Sequence, residues 1–156
     1  MNILFVCTAN ISRSYLAEML LRHHMAQHHL TGVDVASAGL HAQPGHPPDP
    51  QMVRYLLNLG VPQQNHEATL LTGEAVERAD LVLVMEKAHF HAIKRRWPET
   101  EGKLALLGAY LPGGRRPDDI MDPYGHSSFH YRTAQSQITL AVKGLMASLF
   151  PGGTDT

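Results

Sequence analysis

The sequence predicts an α/β fold in which a single doubly wound, four-stranded parallel sheet is flanked by helices. Short apolar runs, each long enough for one strand, alternate with segments whose apolar residues recur at helical spacing. One of these runs, Leu81–Val84, is continuously apolar, which is typical of a strand covered by helices on both faces of a parallel sheet. Such sheets bind their ligands beyond the carboxyl ends of the strands, so we expect a site in the loops at that edge.

The first half of the chain predicts strand, helix, strand and helix. Residues 1–6, apolar apart from Asn2, predict a strand, and the helix that follows, from about residue 14 to residues 28–30, carries one apolar stripe. Residues 33–37 then alternate between apolar and polar positions, as a strand does. After a Pro- and Gly-rich loop, Asp49-Pro50 opens a second helix, and Gly60 is expected to end it in the left-handed conformation.

The second half predicts a short helix over residues 73–79, followed by the apolar run already described. A helix over residues 88–97 leads to a fourth apolar strand at residues 104–107. We expect residues 108–126 to be a long loop, and apolar residues in register over 131–149 predict a closing helix.

The composition is that of an ordinary globular protein. The chain has 156 residues, of which 44% are hydrophobic and 17% charged, and its net charge is −1, so nothing favours nucleic acid or an anionic membrane as a partner. The length suits one domain, which we place at residues 1–150, with a flexible C-terminal tail over residues 151–156. The apolar start is too short for a signal peptide, so we expect a cytoplasmic protein without a membrane span.

Cys7 is the only cysteine of the chain, so no disulfide and no thiolate metal site can form within it. A single cysteine is more often a buried small hydrophobe than a reactive thiol. The neighbours of Cys7 decide between a buried hydrophobe and a reactive thiol. The first strand is joined to the first helix by the segment Cys7-Thr8-Ala9-Asn10-Ile11-Ser12-Arg13-Ser14. The free N–H groups and the positive macrodipole of a helix start make this segment a loop suited to phosphate.

The side chains of this phosphate loop add chemistry to the anion site. Arg13 carries a planar, permanently charged fork for two phosphate oxygens, and the same positive field favours the thiolate form of Cys7. Asn10 and Ser14 can supply hydrogen bonds that steady the loop and the sulfur. The backbone that we expect to bind phosphate belongs to Thr8, Ala9, Asn10, Ile11, Ser12 and Arg13.

A carboxylic acid is expected opposite the thiolate, because the oxygen that leaves during phosphoryl transfer departs slowly unless it is protonated. Asp122-Pro123-Tyr124 lies in the long loop at the same sheet edge, and the proline limits the turn that aims Asp122. Asp122 could then act as base for the water that hydrolyses the cysteinyl phosphate. Asp118 and Asp119 lie nearby, but neither precedes a proline and an aromatic residue.

With these two motifs the chain resembles the low-molecular-weight protein tyrosine phosphatases, whose signature is Cys-x5-Arg-Ser after the first strand and a distant Asp-Pro-aromatic. The resemblance covers nearly the whole length. Shorter matches are Phe5-Val6, Ala17-Glu18, Ser37-Ala38-Gly39, Asp49-Pro50, His66, Met85-Glu86 and Leu107-Gly108. It implies hydrolysis of protein phosphotyrosine without a cofactor, and the bacterial members suggest a tyrosine kinase of exopolysaccharide export as the partner.

The resemblance also implies residue roles. Cys7 would be the nucleophile, Arg13 would bind phosphate and Asp122 would be the acid. Positions that brace the phosphate loop in the family are matched by Asn10, Ser14, Ser37 and His66. Tyr124 matches an aromatic wall at the pocket mouth. Ile11 fits phosphotyrosine, since similar members that act on phosphoarginine carry threonine at that position.

Three positions of the loop region depart from the family pattern. Ser12 stands where many relatives have a second cysteine, so a protective disulfide with Cys7 cannot form. Ala9 replaces a glycine, which is tolerable only if its φ is negative. Tyr15 replaces the proline that usually presets the start of the helix. The segment after His66 also lacks an arginine that relatives often carry there.

Other functions stay open at this point. An arsenate reductase on the same fold would need an external thiol, because one cysteine cannot run an internal relay. A phosphotransfer component of a sugar transport system would need no general acid, which argues against it. A pseudophosphatase that only binds phosphotyrosine is the third alternative. His24 and His28 share one helical face, but without a third ligand we expect a solvated face and no metal.

Overall fold

Four parallel strands form the sheet that the sequence predicts. The computed structural model describes residues 1–113 and 119–152. Its strands are β1 (Asn2–Cys7), β2 (Asp34–Gly39), β3 (Leu81–Val84) and β4 (Leu104–Leu106), and they lie side by side in the order β2-β1-β3-β4. Every neighbouring pair is parallel, which confirms the predicted fold class.

Within the described residues, five α-helices connect and flank these strands: α1 (Arg13–Gln27), α2 (Pro50–Asn58), α3 (Gly73–Arg78), α4 (Lys87–Arg96) and α5 (Ser128–Leu149). Their bounds differ from the sequence expectations by a few residues at most. The clearest difference is a short 3-10 helix, Leu107–Tyr110, at the start of the segment expected to be loop. Gly60 follows α2 with a φ of 80°, the left-handed conformation expected of a helix terminator.

Helices cover both faces of the sheet, as the continuous apolar strands predict. The alternating side chains of β1 divide between the two faces. Ile3, Phe5 and Cys7 belong to the core formed with α1, α2 and α5, whereas Leu4 and Val6 belong to the core formed with α3 and α4. Cys7 is thus the last residue of a strand buried on both sides.

The chain reverses its direction of travel across the sheet at β1, since β2 lies on one side of it and β3 on the other. Ligands of doubly wound sheets bind in the crevice at such a switch point. The loop after β1 and the turn after β3 therefore meet at one edge. This edge holds the residues that the sequence singles out.

Some predictions concern residues at or beyond the ends of the described ranges. Pro151 and Gly152 follow α5 as a turn, and the rest of the predicted tail lies outside the described residues, as does Asp118. The single domain and its tail stay predictions. None of the helices in residues 1–113 and 119–152 has both the length and the apolar character needed to cross a membrane.

Candidate active site

The phosphate loop is held through its carbonyl groups, which accept hydrogen bonds from the segments packed around it. The N–H groups of Leu40 and His41 donate to the carbonyls of Cys7 and Thr8 at 3.0 and 2.8 Å. Gly39 makes this close approach possible, because a Cβ there would lie 2.6 Å from the Thr8 carbonyl oxygen. Segment 39–41 therefore fastens the first part of the loop.

The N–H groups of the loop are left for a ligand. Within residues 1–113 and 119–152, no hydrogen bond is found from the backbone N–H groups of Thr8, Ala9, Ile11, Ser12 and Arg13. The N–H of Asn10 points to the Cys7 sulfur at 3.3 Å. A loop whose carbonyls are bound elsewhere and whose N–H groups are free is an anion-binding arrangement.

Asn10 is the central brace of the loop. Its φ of 58° lies in the left-handed region, which asparagine tolerates better than most residues. Its side-chain nitrogen donates to Ser14 Oγ and Ser37 Oγ, both at 2.8 Å, and its side-chain oxygen accepts from the Thr69 N–H at 2.9 Å. His66 Nε2 lies 2.7 Å from the Asn10 carbonyl, which can only accept, so His66 must donate.

Ser14 carries this network to the nucleophile candidate. Its hydroxyl accepts from Asn10, so its own hydrogen is free to point at Cys7 Sγ, 3.0 Å away. The sulfur therefore has two donors, the Ser14 hydroxyl and the Asn10 N–H. Both donors are placed to hydrogen-bond a negatively charged sulfur and to hold it in position.

Behind Asn10 the network ends on a buried carboxylate that the sequence reasoning assigned no role. The Ser37 hydroxyl donates to Glu18 Oε1 at 2.5 Å, and Arg22 forms an ion pair with Glu18 Oε2 at 2.8 Å. Arg22 also donates to the Val35 carbonyl of β2. Glu18 thereby fixes the direction of the Ser37 hydroxyl, so that Ser37 accepts from Asn10.

Asp49, the N-cap of α2, holds the far side of the loop. Its N–H donates to the Ile11 carbonyl at 2.8 Å, and its carboxylate accepts from the Gln51 N–H and the Tyr131 hydroxyl, the latter at 2.7 Å. Burial and the Asp49 carboxylate raise the pKa of Tyr131 well above its ordinary value, so the phenol stays a donor. This brace was also missed, although the sequence marks Asp49-Pro50 as a helix start.

Arg13 is fully buried, and one of its terminal nitrogens is committed to the protein. Nη1 donates to Glu86 Oε2 at 2.6 Å and to the Ile120 carbonyl at 2.7 Å. Nη2 lies 3.9 Å from Asp122 Oδ2, and the Asp122 side chain is 49% exposed. Glu86 on one side and Asp122 on the other thus flank the guanidinium.

A pocket of about 240 Å³ opens above the loop. Cys7 and Arg13 contribute to its lining together with Asp122 and Tyr124, so the structure brings the two sequence motifs to one cavity. Its remaining lining residues are Ala9, Ile11, Ser12, His41, Gln43 and His46. Tyr124 is 57% exposed and stands at the mouth, while the Tyr124 N–H donates to Asp122 Oδ1 at 3.1 Å.

Comparison with known proteins assigns the chain to a family. Residues 2–151 match the model of the family described as low molecular weight phosphotyrosine protein phosphatase. The chain belongs to this family. The match confirms the resemblance inferred from Cys-x5-Arg-Ser and Asp-Pro-aromatic, and the protein is a phosphatase.

Individual relatives of this phosphatase carry two kinds of name. The probable low molecular weight protein-tyrosine-phosphatase EpsP of Ralstonia nicotianae is 42% identical over 122 residues, 78% of this chain and 77% of EpsP. The protein-arginine-phosphatase of Bacillus subtilis is 33% identical over 149 residues, 96% of this chain and 97% of the relative. The solved tyrosine phosphatase Wzb from Escherichia coli K30, in complex with sulphate, matches with a TM-score of 0.84 and 32% identity over 96% of this chain and 98% of Wzb.

The departures of this low molecular weight phosphatase from its family pattern fit the fold. Ala9 does not have the positive φ that would require a glycine, since among the described non-glycine residues only Asn10 and His29 have positive φ. Tyr15 is buried and packs on His66 with ring centroids 4.7 Å apart, which supports the ring that bonds Asn10. Ser12 is buried beside the pocket, and its hydroxyl has no hydrogen-bond partner among the described residues.

Glu86 in the turn after β3 and His89 in the first turn of α4 complete the site of this phosphatase and were not singled out from the sequence. Glu86 binds Arg13, and His89 lies 2.9 Å from the Thr8 hydroxyl. The sequence offered one signal, the Met85-Glu86 match to the family. No group of three or more His, Cys, Asp or Glu side chains that could hold a metal occurs within residues 1–113 and 119–152.

Proposed function

We propose that the protein hydrolyses phosphotyrosine in proteins through a cysteinyl-phosphate intermediate. The observation that carries this proposal is the meeting of Cys7, Arg13 and Asp122 in one pocket above a loop with free N–H groups. In the proposed complex the thiolate would attack the phosphorus, the guanidinium would hold equatorial oxygens, and the carboxyl group would protonate the leaving oxygen. This is the arrangement that phosphoryl transfer to sulfur requires.

The reaction takes two steps. In the first, Cys7 Sγ forms a bond to phosphorus while the bond to the tyrosine oxygen breaks, and the protonated Asp122 gives its proton to that oxygen. In the second, the Asp122 carboxylate takes a proton from water, the hydroxide attacks phosphorus, and the thiolate leaves with inorganic phosphate as product. Arg13 and the loop N–H groups hold the three equatorial oxygens in both steps.

Phosphotyrosine is favoured over phosphoarginine by the walls of the pocket. Ile11 and Tyr124 offer apolar and aromatic surface to a flat aryl ring, and Ile11 packs with Ala42 and Ala68. A guanidinium next to Ile11 would lose hydrogen bonds to water and find no acceptor on that side chain. Because the chain is similar both to tyrosine phosphatases and to arginine phosphatases, we expect Ile11 to decide which of the two substrates is accepted.

We also propose a domain organisation, a partner and a location for the enzyme. Residues 1–150 would form a single phosphatase domain, with the residues after 150 as a tail. The partner would be a tyrosine-phosphorylated protein, and we propose a bacterial tyrosine kinase of exopolysaccharide export in the cytoplasm. The resemblance to bacterial family members and the tyrosine-phosphatase names of relatives such as EpsP support this choice.

The decisive experiment measures hydrolysis of aryl phosphates without added metal by wild type, Cys7→Ser and Asp122→Ala. We expect Cys7→Ser to abolish turnover. Asp122→Ala should slow phenyl phosphate by about 10²–10⁴ and p-nitrophenyl phosphate much less, because nitrophenolate leaves without protonation. Asp34→Ala, which removes an exposed carboxylate outside the pocket, is the control. Equal rates for wild type and Cys7→Ser would end the proposal.

The alternatives give different outcomes in the same samples. A pseudophosphatase would bind the phosphotyrosine peptide with wild-type Cys7 but release no phosphate. An arsenate reductase would turn over arsenate only when glutathione or another thiol is supplied, and its activity would be indifferent to Asp122→Ala. Comparing phosphotyrosine and phosphoarginine peptides then decides the substrate class.

A further inference from the structure

His89 is a buried histidine that the two-step mechanism does not use. It is the third residue of α4, and its side chain is 7% exposed. The Glu86 N–H donates to its Nδ1 at 3.2 Å, and its Nε2 lies 2.9 Å from Thr8 Oγ1. The ring therefore bridges the phosphate loop after β1 and the turn after β3.

The contact with the Glu86 N–H decides the tautomer of this ring. Nδ1 can accept a hydrogen bond only when it carries no hydrogen, so the neutral imidazole has its hydrogen on Nε2 and donates it to Thr8. Burial lowers the pKa of His89, and the Arg13 charge lowers it further, which keeps the ring neutral at neutral pH. The carboxylates that act in the opposite direction are those of Glu86, Asp119 and Asp122.

The two residues that His89 joins both serve phosphate binding. Thr8 is the first residue of the cradle after Cys7, and Glu86 is the acceptor that orients Arg13. We propose that His89 is a positioning residue that holds Thr8 and the Glu86 turn at a fixed separation and so keeps Arg13 aligned with the cradle. This inference rests on the proposed function in one respect, namely that the ligand of the loop is a phosphoryl group.

The role predicts a specific kinetic pattern. The loop and Arg13 bind the phosphoryl group in the ground state and in the transition state, so a misplaced cradle raises KM and weakens binding of inert dianions. Protonation of the leaving oxygen by Asp122 does not involve His89. A variant that merely unfolds in part would instead lower kcat through a smaller active fraction and leave KM unchanged.

The test compares His89→Ala, His89→Gln and the control His91→Ala, which removes an exposed histidine from the same helix. Sulfate is the probe, with binding measured by calorimetry at pH 7.5, alongside steady-state kinetics on phenyl and p-nitrophenyl phosphate. For His89→Ala we expect the sulfate Kd and both KM values to rise about 3- to 10-fold, with the ratio of the two kcat values unchanged. The glutamine amide offers a donor group and an acceptor group, so His89→Gln should recover most of this loss.

Several outcomes would overturn the proposal. Wild-type sulfate affinity in His89→Ala would do so, and so would a His89→Gln variant as weak as His89→Ala. If His89→Ala does not fold, ¹⁵N NMR of the wild-type imidazoles still decides, since a hydrogen on Nδ1 contradicts the bridge. Inactivity of the wild type on aryl phosphates would remove the proposed function but leave the sulfate comparison valid.

Discussion

Arg13 and Glu86 form an ion pair with 2.6 Å between Nη1 and Oε2, and this pair determines which edge of the guanidinium is left free to bind a phosphoryl group. Nη1 has two hydrogens, and the second goes to the Ile120 carbonyl. The hydrogens of Nε and Nη2 form no hydrogen bond within the described residues. Nε and Nη2 lie on the same edge of the guanidinium and direct two parallel N–H bonds outward. This edge matches two phosphate oxygens.

Replacing Glu86 should therefore disturb binding through geometry more than through charge. We expect Glu86→Ala to lower kcat/KM on p-nitrophenyl phosphate by about 10-fold or more, because a charge-assisted hydrogen bond is lost and Arg13 becomes free to rotate. Glu86→Gln keeps an acceptor at the same place and should lose less. Steady-state kinetics and the inhibition constant of inorganic phosphate measure both effects, with exposed Glu77→Ala as the control. Equal losses in Glu86→Ala and Glu86→Gln would show that charge, not orientation, matters.

The loop and the acid motif could be predicted because their chemistry is local in the chain. A cysteine, a helix start and an arginine six residues later describe an anion site without reference to other strands. The partners Glu86 and His89 could not be derived in this way, because their contacts exist only if β3 lies beside β1. The alternation of strands and helices predicts a parallel sheet but not the order of its strands. The left-handed Asn10 and the buried Glu18 likewise depend on tertiary contacts.

Gly39 is a residue whose importance follows from the close contact between β2 and the loop. A methyl group there would lie 2.6 Å from the Thr8 carbonyl oxygen and 2.9 Å from backbone atoms of Ala9 and Asn10. Since Gly39 pairs with Cys7 in the sheet, the loop must move instead of the strand. We predict that Gly39→Ala lowers kcat/KM by about 100-fold, the effect of misplacing a catalytic group by about 1 Å.

The matched control for this substitution is Gly144→Ala. Its Cβ would overlap the Tyr110 carbonyl oxygen, in the packing of α5 against the 3-10 helix and away from the loop. Gly144→Ala should lower the melting temperature while the folded fraction keeps its KM. Kinetics and thermal unfolding measured together distinguish the two variants. A Gly39→Ala enzyme with wild-type kcat/KM would refute the close-contact argument.

Ile11 is predicted to set the choice between aryl and guanidinium phosphates. It is 8% exposed in the pocket wall, and its branched apolar side chain suits an aromatic ring. Ile11→Thr gives the wall a hydroxyl that can accept from a guanidinium, so we expect the ratio of phosphoarginine to phosphotyrosine kcat/KM to rise about 10-fold. Ile11→Val, which shortens the side chain without adding an acceptor, should leave that ratio unchanged. A ratio that rises equally in both variants would point to pocket size as the cause.

The solitary thiol predicts an unusual response to oxidation. Cys7 has Ser12, not a second cysteine, in its loop, so its sulfenic acid cannot be captured as an internal disulfide. Prolonged peroxide treatment without an added thiol should carry it to sulfinic and sulfonic acids, which dithiothreitol does not reduce. Activity after peroxide and then dithiothreitol should therefore stay lost in the wild type, with the added oxygens visible by mass spectrometry. Ser12→Cys should recover its activity under the same treatment, because the nearby thiol can form the disulfide first; full recovery in the wild type would contradict this account.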